Sequence, residues 1–484
     1  MDITTTDTAS QAAKAIRTGQ VTSYDLVKEL LATIDKCNPA LNAIVTLDAE
    51  GALRQAKAAD ELLQRGEAMG PLHGVPITIK DSFETAGMRT VSGFPPFANR
   101  IPSADAPPVA RLRQVGAIIL GKTNLPTLAS GIQTNNPVFG RTNNPWDLAR
   151  TPGGSSGGAA AVIAAGLSYL EMGSDIGGSI RIPAHFCGVY GLKCTGGRVS
   201  GKGHLASPKP LAVPQGWEAL LQLASIGPLA RSIDDLRLAF PIIAEAGTPG
   251  LGPLPENGQT HLAHLRVAWT DDFGAAPLDG ESRRLMGALA DQLKQAGCQV
   301  EHIASAGFDY EEAWFVAGAC LGAINTLFQP PMLQQVRKLT GPVLGRMGHP
   351  HALQRGLYTG MTLRPQTVAD MLKKRLALIE QCEQFLSGYD AWICPVFPTP
   401  AFTHRKPDAP IEVDGQPLAQ ILANLLHSVI FNVTGHPVVT IPIGLTTQGL
   451  PVGVQVVGRR WQEMALLNTA DQIAAQTSGY QSPQ

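Results

Sequence analysis

The sequence has little net charge and no long apolar run. Its 38 basic residues nearly balance 39 acidic residues. This balance offers little attraction to a polyanion, so it argues against nucleic acid or an anionic membrane surface as a partner. No apolar run approaches the roughly 20 residues that cross a bilayer, and the first residues lack the pattern of a secretory signal. We therefore predict a cytoplasmic protein that binds neither nucleic acid nor membrane.

The cysteine and histidine patterns also lack the spacings of metal sites and disulfide frameworks. The seven cysteines include no C-x-x-C pair, and the 11 histidines form no H-E-x-x-H motif. An odd number of scattered cysteines is typical of reduced, buried thiols. We predict no metal and no cofactor.

Helical and strand-like patterns alternate along the chain. Helices are predicted after Thr22 and from about Asp48, and short β-rich runs occur at 75–79 and 117–120. Such alternation favours an α/β architecture around a largely buried sheet. A Gly/Pro-rich connector at 247–259 precedes further runs of strand length, which we expect to rejoin the sheet. These runs lie at 264–269, 391–396, 438–443 and 452–457.

One nucleotide-binding motif and one hydrolase motif match the sequence formally, but neither has the local structure that the motif needs. Residues 116–123 satisfy G-x-x-x-x-G-K-T, the motif of a phosphate-binding loop. Their Ala-Ile-Ile-Leu centre is typical of a β-strand and not of such a loop, and we expect this strand to end at Gly121. Residues 153–157 satisfy G-x-S-x-G, the nucleophile elbow of α/β-hydrolases. That elbow follows a buried strand, whereas loop-forming residues precede this one, and Asp390 and His427 are its available partners. Both interpretations are therefore disfavoured.

A third pattern has several parts that support one another. The Gly/Ser-rich residues 153–158 lead into an Ala-rich helical run at 159–166. A second Gly-Gly-Ser lies within residues 174–183, and residues 74–81 form a strand that ends at Lys80. A flexible linker would not precede so apolar a helix. The chain from 153 to 195 resembles the amidase signature, as do Lys80 and residues 431–437 and 449–455.

This resemblance implies a fold and its boundaries. We expect a single domain over residues 1–484, with a central mixed, twisted β-sheet flanked by helices. The signature-type core would cover about 70–245 and 388–475, and a substrate-facing helical insertion about 310–375. Two residues depart from the family pattern: Cys194 stands where proline is usual, and His185 stands where a small polar residue is common.

The resemblance also implies a catalytic set of Ser179 as nucleophile, Ser155 as proton relay and Lys80 as base. Ser155 would follow a cis peptide bond and bridge the other two. Lys80 can act as a base only if it is neutral, and burial without an acidic partner can lower a lysine pKa by about 3 to 5 units. We therefore expect Asp81 and Glu84 to point away from it.

The turn from Ile176 to Ser179 is predicted to stabilise the tetrahedral intermediate. Its two central glycines carry no side-chain bulk, so successive backbone N–H groups can converge on an oxyanion. The predicted donors are the N–H groups of Ile176, Gly177, Gly178 and Ser179. The resemblance implies that Asp175 and Arg181 pair to hold the turn. It also implies that Ala129, Ser130 and Gly131 line the acyl side of the substrate site.

These residues predict a serine amidohydrolase that cleaves the C–N bond of a small, largely uncharged amide through an acyl-enzyme on Ser179. The same chemistry extends to anilides, esters and carbamates. We expect a small-molecule substrate and a monomer or homodimer. The alternative is the A subunit of a glutamyl-tRNA amidotransferase, which releases ammonia from glutamine and passes it to a partner. Against it, the sequence lacks the Ala-Arg-Tyr-Asp-Gly string that accompanies that activity.

Overall fold

Most of the chain is covered by the structure, a computed structural model. It describes residues 7–205, 214–215, 217–245, 261–274, 276–304, 308–327, 329, 331–346 and 351–483. The predicted connector at 247–259 lies outside these residues. None of the described helices is both long and apolar enough to cross a bilayer.

Eleven of the described strands form one mixed sheet. In chain order, the strands are β1 (Ile44–Leu47), β2 (Pro76–Lys80), β3 (Ile118–Thr123), β4 (Asn135–Asn136), β5 (Gly140–Arg141), β6 (Glu171–Asp175), β7 (Tyr190–Lys193), β8 (Ser225–Ala230), β9 (Arg266–Trp269), β10 (Gln299–His302), β11 (Ala391–Pro395), β12 (Ile411–Val413), β13 (Gln416–Leu418), β14 (Val438–Leu445) and β15 (Pro451–Val457). The order across the sheet is β1-β3-β2-β6-β8-β7-β14-β15-β11-β9-β10, and β4–β5 and β12–β13 are separate hairpins. Strand β2 runs parallel to β3 and β6, and β9 runs parallel to β10 and β11. The other pairs in the sheet are antiparallel, which confirms the predicted α/β fold with a mixed sheet.

Helices flank this sheet. In chain order, the described α-helices are α1 (Ala9–Arg17), α2 (Ser23–Leu41), α3 (Ala49–Gln64), α4 (Pro107–Gln114), α5 (Gly157–Ala164), α6 (Arg181–Cys187), α7 (Ile233–Ile243), α8 (Gly280–Gln295), α9 (Tyr310–Leu327), α10 (Pro331–Arg346), α11 (Ala352–Gly360), α12 (Pro365–Leu386), α13 (Gln420–Leu425), α14 (Ile430–Val433) and α15 (Glu463–Ala474). The two N-terminal helices predicted from capping residues are present. Thr22 caps α2 by accepting the N–H of Asp25, and Asp48 caps α3 by accepting the N–H of Gly51.

Strand β3 is longer than its sequence pattern predicts. It does not end at Gly121 but continues through Lys122 to Thr123, where it pairs with the end of β2. The buried Lys122 amine makes this extension possible, because it donates to the carbonyl oxygen of Phe83 and to the Thr85 hydroxyl. The backbone of residues 118–123 in the formal phosphate-loop motif thus pairs with neighbouring strands of the sheet. This confirms that the motif is not a phosphate cradle.

The predicted insertion at about 310–375 is helical, and two of its helices pack backbone against backbone. A Cβ atom at Gly318 of α9 would lie 2.0 Å from the carbonyl oxygen of Leu353, and one at Gly360 of α11 would lie 1.9 Å from that of Ala319. Gly322 and Gly356 make equally close approaches. Each helix thus presents a G-x-x-x-G pair to the other, a pattern that lets helix backbones approach closely.

Candidate active site

The candidate site lies where two neighbouring parallel strands end. Lys80 is the last residue of β2, and Ser174 and Asp175 are the last two residues of β6. Because both strands run in the same direction, these side chains meet at one edge of the sheet. The start of α5 is held against the same edge, since a Cβ atom at Gly158 would lie only 2.5 Å from the backbone nitrogen of Asn124. This edge is where open α/β sheets commonly bind ligands.

The Lys80 amine is fully buried among hydroxyl groups. Its Nζ atom lies 2.7 Å from Ser155 Oγ, 2.9 Å from Ser156 Oγ and 3.0 Å from Ser174 Oγ. Burial lowers the pKa of Lys80 from 10.5 to about 7, although Asp175 and Glu171 act to raise it. A substantial fraction of this lysine is therefore neutral near pH 7. Sequence reasoning missed Ser156 and Ser174, although Ser156 stands beside Ser155 in the Gly/Ser-rich run.

The nearby carboxylates have other partners. Asp81 accepts the backbone N–H groups of Val91 and Ser92, and Glu84 pairs with Arg100. Both point away from the amine, as the base role of Lys80 requires. Glu171 lies deeper along β6, where burial raises its pKa to about 8 despite its hydrogen bond with Thr78. At neutral pH, Glu171 is therefore mostly uncharged, which limits its attraction for a protonated Lys80.

The two serine segments lie next to each other. The Gly154–Ser155 peptide bond is cis, as the resemblance implies. The Ser156 N–H donates to the Ser179 carbonyl oxygen over 3.1 Å, which places the backbone of Ser179 beside the Ser155–Ser156 segment. Ser155 is buried, whereas Ser179 is partly exposed. No hydrogen bond among the described residues holds the Ser179 hydroxyl.

The turn before Ser179 presents three unpaired backbone donors, one fewer than the sequence suggests. Gly178, at φ +105°, directs its N–H to Asp175 Oδ1 at 2.9 Å. Across the described chain, no hydrogen bond occupies the N–H groups of Ile176, Gly177 and Ser179. These three N–H groups remain candidates for the predicted oxyanion donors, whereas the Gly178 N–H holds the turn to Asp175.

A buried ion pair anchors this turn to the distant part of the chain. Asp175 and Arg181 are fully buried and lie 2.7 Å apart. Burial acts to raise the pKa of Asp175, but Arg181 holds that pKa well below its usual range. Arg181 also donates to Gln455 Oε1 and Asn432 Oδ1, both at 2.6 Å, and to the Ser428 carbonyl oxygen at 2.7 Å. The runs at 431–437 and 449–455 thus supply two of the partners of Arg181, a role that their sequence alone does not reveal.

Of the predicted acyl-side residues, Gly131 lies beside the segment that carries Ser155. A Cβ atom at Gly154 would lie 2.7 Å from the Gly131 carbonyl oxygen, so Gly131 abuts the residue before Ser155. Ala129 is half-buried with φ +57°, and Ser130 and Gly131 are exposed. All three remain candidates for contact with a substrate.

The two departures from the family pattern lie in the core. His185 Nδ1 accepts the Gly453 N–H at 2.7 Å, and Nε2 lies 3.1 Å from the Thr399 carbonyl oxygen. Burial lowers the pKa of His185 to about 4, so the ring is neutral and joins α6 to β15. Cys194 is buried, and burial raises the pKa of its thiol. Neither side chain contacts the Lys80 amine.

An apolar cluster borders the other side of the turn. Ile176 packs against a cluster that includes Trp314 of α9 and Leu425 of α13. A Cβ atom at Gly177 would lie 2.7 Å from a Leu425 methyl carbon, so a larger residue there would require the Leu425 side chain to move. The Trp314 indole donates to the Leu426 carbonyl oxygen at 3.0 Å. Helix α9 of the predicted insertion thus shares an apolar cluster with Ile176 at the start of the turn.

The geometry excludes a nucleophile elbow of the α/β-hydrolase type. Among the described residues, no strand leads directly into α5, because β5 ends at Arg141. His427 is buried, and neither of its ring nitrogens hydrogen-bonds to a described residue. Burial also lowers the pKa of His427 to about 3, so it is poorly suited to accept a proton near pH 7.

The chain is similar to known proteins over almost its full length. The model of the Amidase family matches residues 25–467. The A subunit of the glutamyl-tRNA(Gln) amidotransferase of Moorella thermoacetica is 32% identical, with 96% of this chain and 95% of that protein covered. The protein of the same name from a Roseiflexus species is 33% identical over the same shares of the two chains. A crystal structure of an amidase is 30% identical, superimposes with a TM-score of 0.78, and covers 98% of this chain and 100% of its own.

Proposed function

The chain belongs to the Amidase family, and on that premise we propose that it hydrolyses carboxamide C–N bonds through an acyl-enzyme on Ser179. The observation that carries this proposal is the buried Lys80 amine, 2.7 Å from Ser155 Oγ and with a pKa of about 7. A neutral amine in this position can accept a proton that ammonium cannot. An unperturbed lysine would be almost wholly protonated at neutral pH.

The proposed reaction begins with attack by Ser179 Oγ on the amide carbonyl carbon. The Ser179 proton passes to Ser155 Oγ as the Ser155 proton passes to Lys80 Nζ. The carbonyl oxygen becomes an oxyanion, which the N–H groups of Ile176, Gly177 and Ser179 stabilise.

The tetrahedral intermediate then collapses and the C–N bond breaks. The departing nitrogen takes a proton from Ser155, which regains one from Lys80, because an unprotonated amine anion cannot leave at neutral pH. Water next attacks the acyl-enzyme through the same relay, and the acid is released. Ser179, Ser155 and Lys80 end the cycle in their starting protonation states.

For the substrate, the sequence relatives favour glutamine. Both relatives named above are A subunits of glutamyl-tRNA(Gln) amidotransferases, and the alignments cover almost the full length of each. They support a subunit that releases ammonia from glutamine and delivers it to a partner. This interpretation is better supported by the relatives than a free-standing hydrolase of small amides.

A second candidate is hydrolysis of a small, largely uncharged amide, with anilides, esters and carbamates as further substrates. The solved amidase at 30% identity supports it, as does the apolar packing of Ile176 against Trp314 and Leu425. Apolar walls suit an uncharged acyl group, whereas the charged ends of glutamine need polar partners.

One experiment tests the chemistry and separates the two candidates. Wild type and Ser179→Ala are assayed for release of ammonia, amine or alcohol from glutamine and from a panel of uncharged amides, anilides, esters and carbamates. We expect Ser179→Ala to lose activity about 10³-fold or more on every wild-type substrate. Preference for glutamine supports the amidotransferase interpretation, and preference for uncharged amides supports the second candidate. Equal activity of wild type and Ser179→Ala would overturn the proposal.

A further inference from the structure

The Lys80 amine has three hydroxyl neighbours, and the neutral amine cannot donate to all of them. Ser155, Ser156 and Ser174 lie at 2.7, 2.9 and 3.0 Å from Nζ. A neutral primary amine has two N–H groups and one lone pair. One hydroxyl must therefore donate to the nitrogen while the other two accept from it. The lone pair of Lys80 is directed at whichever hydroxyl donates to the nitrogen.

Ser156 has an acceptor for its own proton other than the amine. Its hydroxyl faces the Ser174 carbonyl oxygen at 3.4 Å, a weak contact that leaves Ser156 Oγ placed to accept from Lys80 at 2.9 Å. Ser156 is also the N-cap residue of α5, yet its side chain makes no capping hydrogen bond. A capping serine typically stabilises a helix by about 0.5–2 kcal/mol. Here the side chain turns from the helix to Lys80.

The proposed relay distinguishes the remaining two hydroxyls. It requires Ser155, the nearest hydroxyl at 2.7 Å, to donate its proton to the amine, whereas the 3.0 Å separation at Ser174 is usual for an N–H donor and an oxygen acceptor. Ser174 therefore accepts, and Ser155 donates. With both N–H groups occupied by Ser156 and Ser174, the lone pair of Lys80 faces Ser155.

We infer that Ser156 and Ser174 are positioning residues, which hold the two N–H groups of neutral Lys80 so that its lone pair is aimed at Ser155. This inference rests on the proposed function, because it concerns the same relay. When Lys80 accepts the Ser155 proton, its new N–H donates back to Ser155 Oγ. The contacts with Ser156 and Ser174 are unchanged, so the amine need not rotate during the cycle.

The test uses the full-length protein with Ser156→Ala and with Ser174→Ala. A fluorophosphonate serves as the probe of Ser179, and its second-order labelling rate is measured from about pH 5 to about pH 9. We expect labelling to slow about 10- to 100-fold, since the lone pair of Lys80 is no longer held towards Ser155. The midpoint of the rise in rate with pH should move to lower pH. The protonated amine donates to all three hydroxyls, so removing one acceptor destabilises it more than it destabilises the neutral amine. The pKa of Lys80 should therefore fall.

Ser225→Ala is the matched control. Ser225 is a buried serine on β8, paired across the sheet with Asp175, and its hydroxyl has no hydrogen-bond partner among the described residues. It should label as wild type does. Ser156→Thr and Ser174→Thr restore a hydroxyl, so they should recover most of the rate even if the alanine variants fold poorly.

The outcomes separate this inference from the function on which it rests. Wild-type labelling rates in both alanine variants, or midpoints that move up towards an ordinary lysine pKa, would overturn the positioning role. Failure of both threonine variants to recover would also count against it. Labelling that persists in Ser179→Ala would instead defeat the proposed function.

Discussion

The sheet edge around Lys80 buries charged side chains, whereas the helix pair α9–α11 buries glycines and apolar side chains. At the sheet edge, Lys80, Asp175 and Arg181 are fully buried, and each has hydrogen-bond partners. In the helix pair, the contact is made by glycines and apolar side chains, without a buried charge among the described residues. Buried charge is expensive unless it is paired, so of these two regions the sheet edge, which holds a buried lysine of lowered pKa, is the candidate reactive one.

The two regions should therefore tolerate different substitutions. The sheet edge should be sensitive to loss of a polar partner, because a buried charge would be left without one. The helix pair should be sensitive to added volume, because its backbones leave no space for a Cβ atom. Four substitutions test this comparison.

The largest effect is expected for Lys80→Met. Activity should fall about 10³-fold or more, because the relay loses its base. Stability should not fall in parallel, since a buried amine with a lowered pKa opposes folding. That penalty is fully present below about pH 7 and fades as pH rises towards 10.5. Activity assays and thermal melts at several pH values would check this, and a large loss of stability at pH 6 would contradict it.

Arg181→Ala should cause the largest loss of stability. It leaves the buried Asp175 carboxylate uncompensated, and breaking such a pair typically costs about 3–5 kcal/mol. The control is Arg54→Ala, which removes an exposed pair with Glu50 and should cost at most about 1 kcal/mol. Urea unfolding measures both. Equal values for the two variants would mean that burial does not set the importance of the Asp175–Arg181 pair.

Gly356→Ala should destabilise the helix pair by about 1–3 kcal/mol. The added methyl group would lie 2.0 Å from the Phe315 carbonyl oxygen, so α9 and α11 must separate. Gly287→Ala on α8 is the matched control, because a Cβ atom there meets nothing within 4 Å. That change should stabilise the protein by about 0.4–1 kcal/mol. Similar unfolding free energies for the two variants would argue against close backbone packing.

The smallest effect is expected for Leu339→Gln on α10. This side chain is 74% exposed, so its removal leaves no cavity. The free energy of unfolding should change by less than about 0.5 kcal/mol. A larger loss, measured in the same urea series, would show that α10 is packed against another surface in solution.

The predictable part of the site is the part that is local in sequence. The Gly/Ser-rich run with Ser155 and the turn with Ser179 each lie within a few residues, and Lys80 ends a clear strand pattern. Ser174 contacts Lys80 only because β2 and β6 pair in parallel, across 94 residues of sequence. No local pattern specifies that register.

The same limit explains the remaining differences. Asn432 and Gln455 reach Arg181 through strands and helices that are remote in sequence. The use of the Gly178 N–H by Asp175 depends on the exact course of the turn, which residue types alone do not fix. Strand β3 extends past Gly121 because buried hydrogen bonds satisfy the Lys122 amine, a tertiary effect that overrides the local appearance of a strand end.

The ionisation of Lys80 tests the central claim most directly. Nuclear magnetic resonance of protein labelled with ¹³C at lysine Cε, with Lys80→Met to assign the signal, gives its pKa in the folded enzyme. The buried hydroxyl-lined site predicts a value of about 7, with the amine increasingly neutral above it. A Lys80 signal that titrates near the ordinary value of 10.5 would contradict the proposed role of this amine as the base.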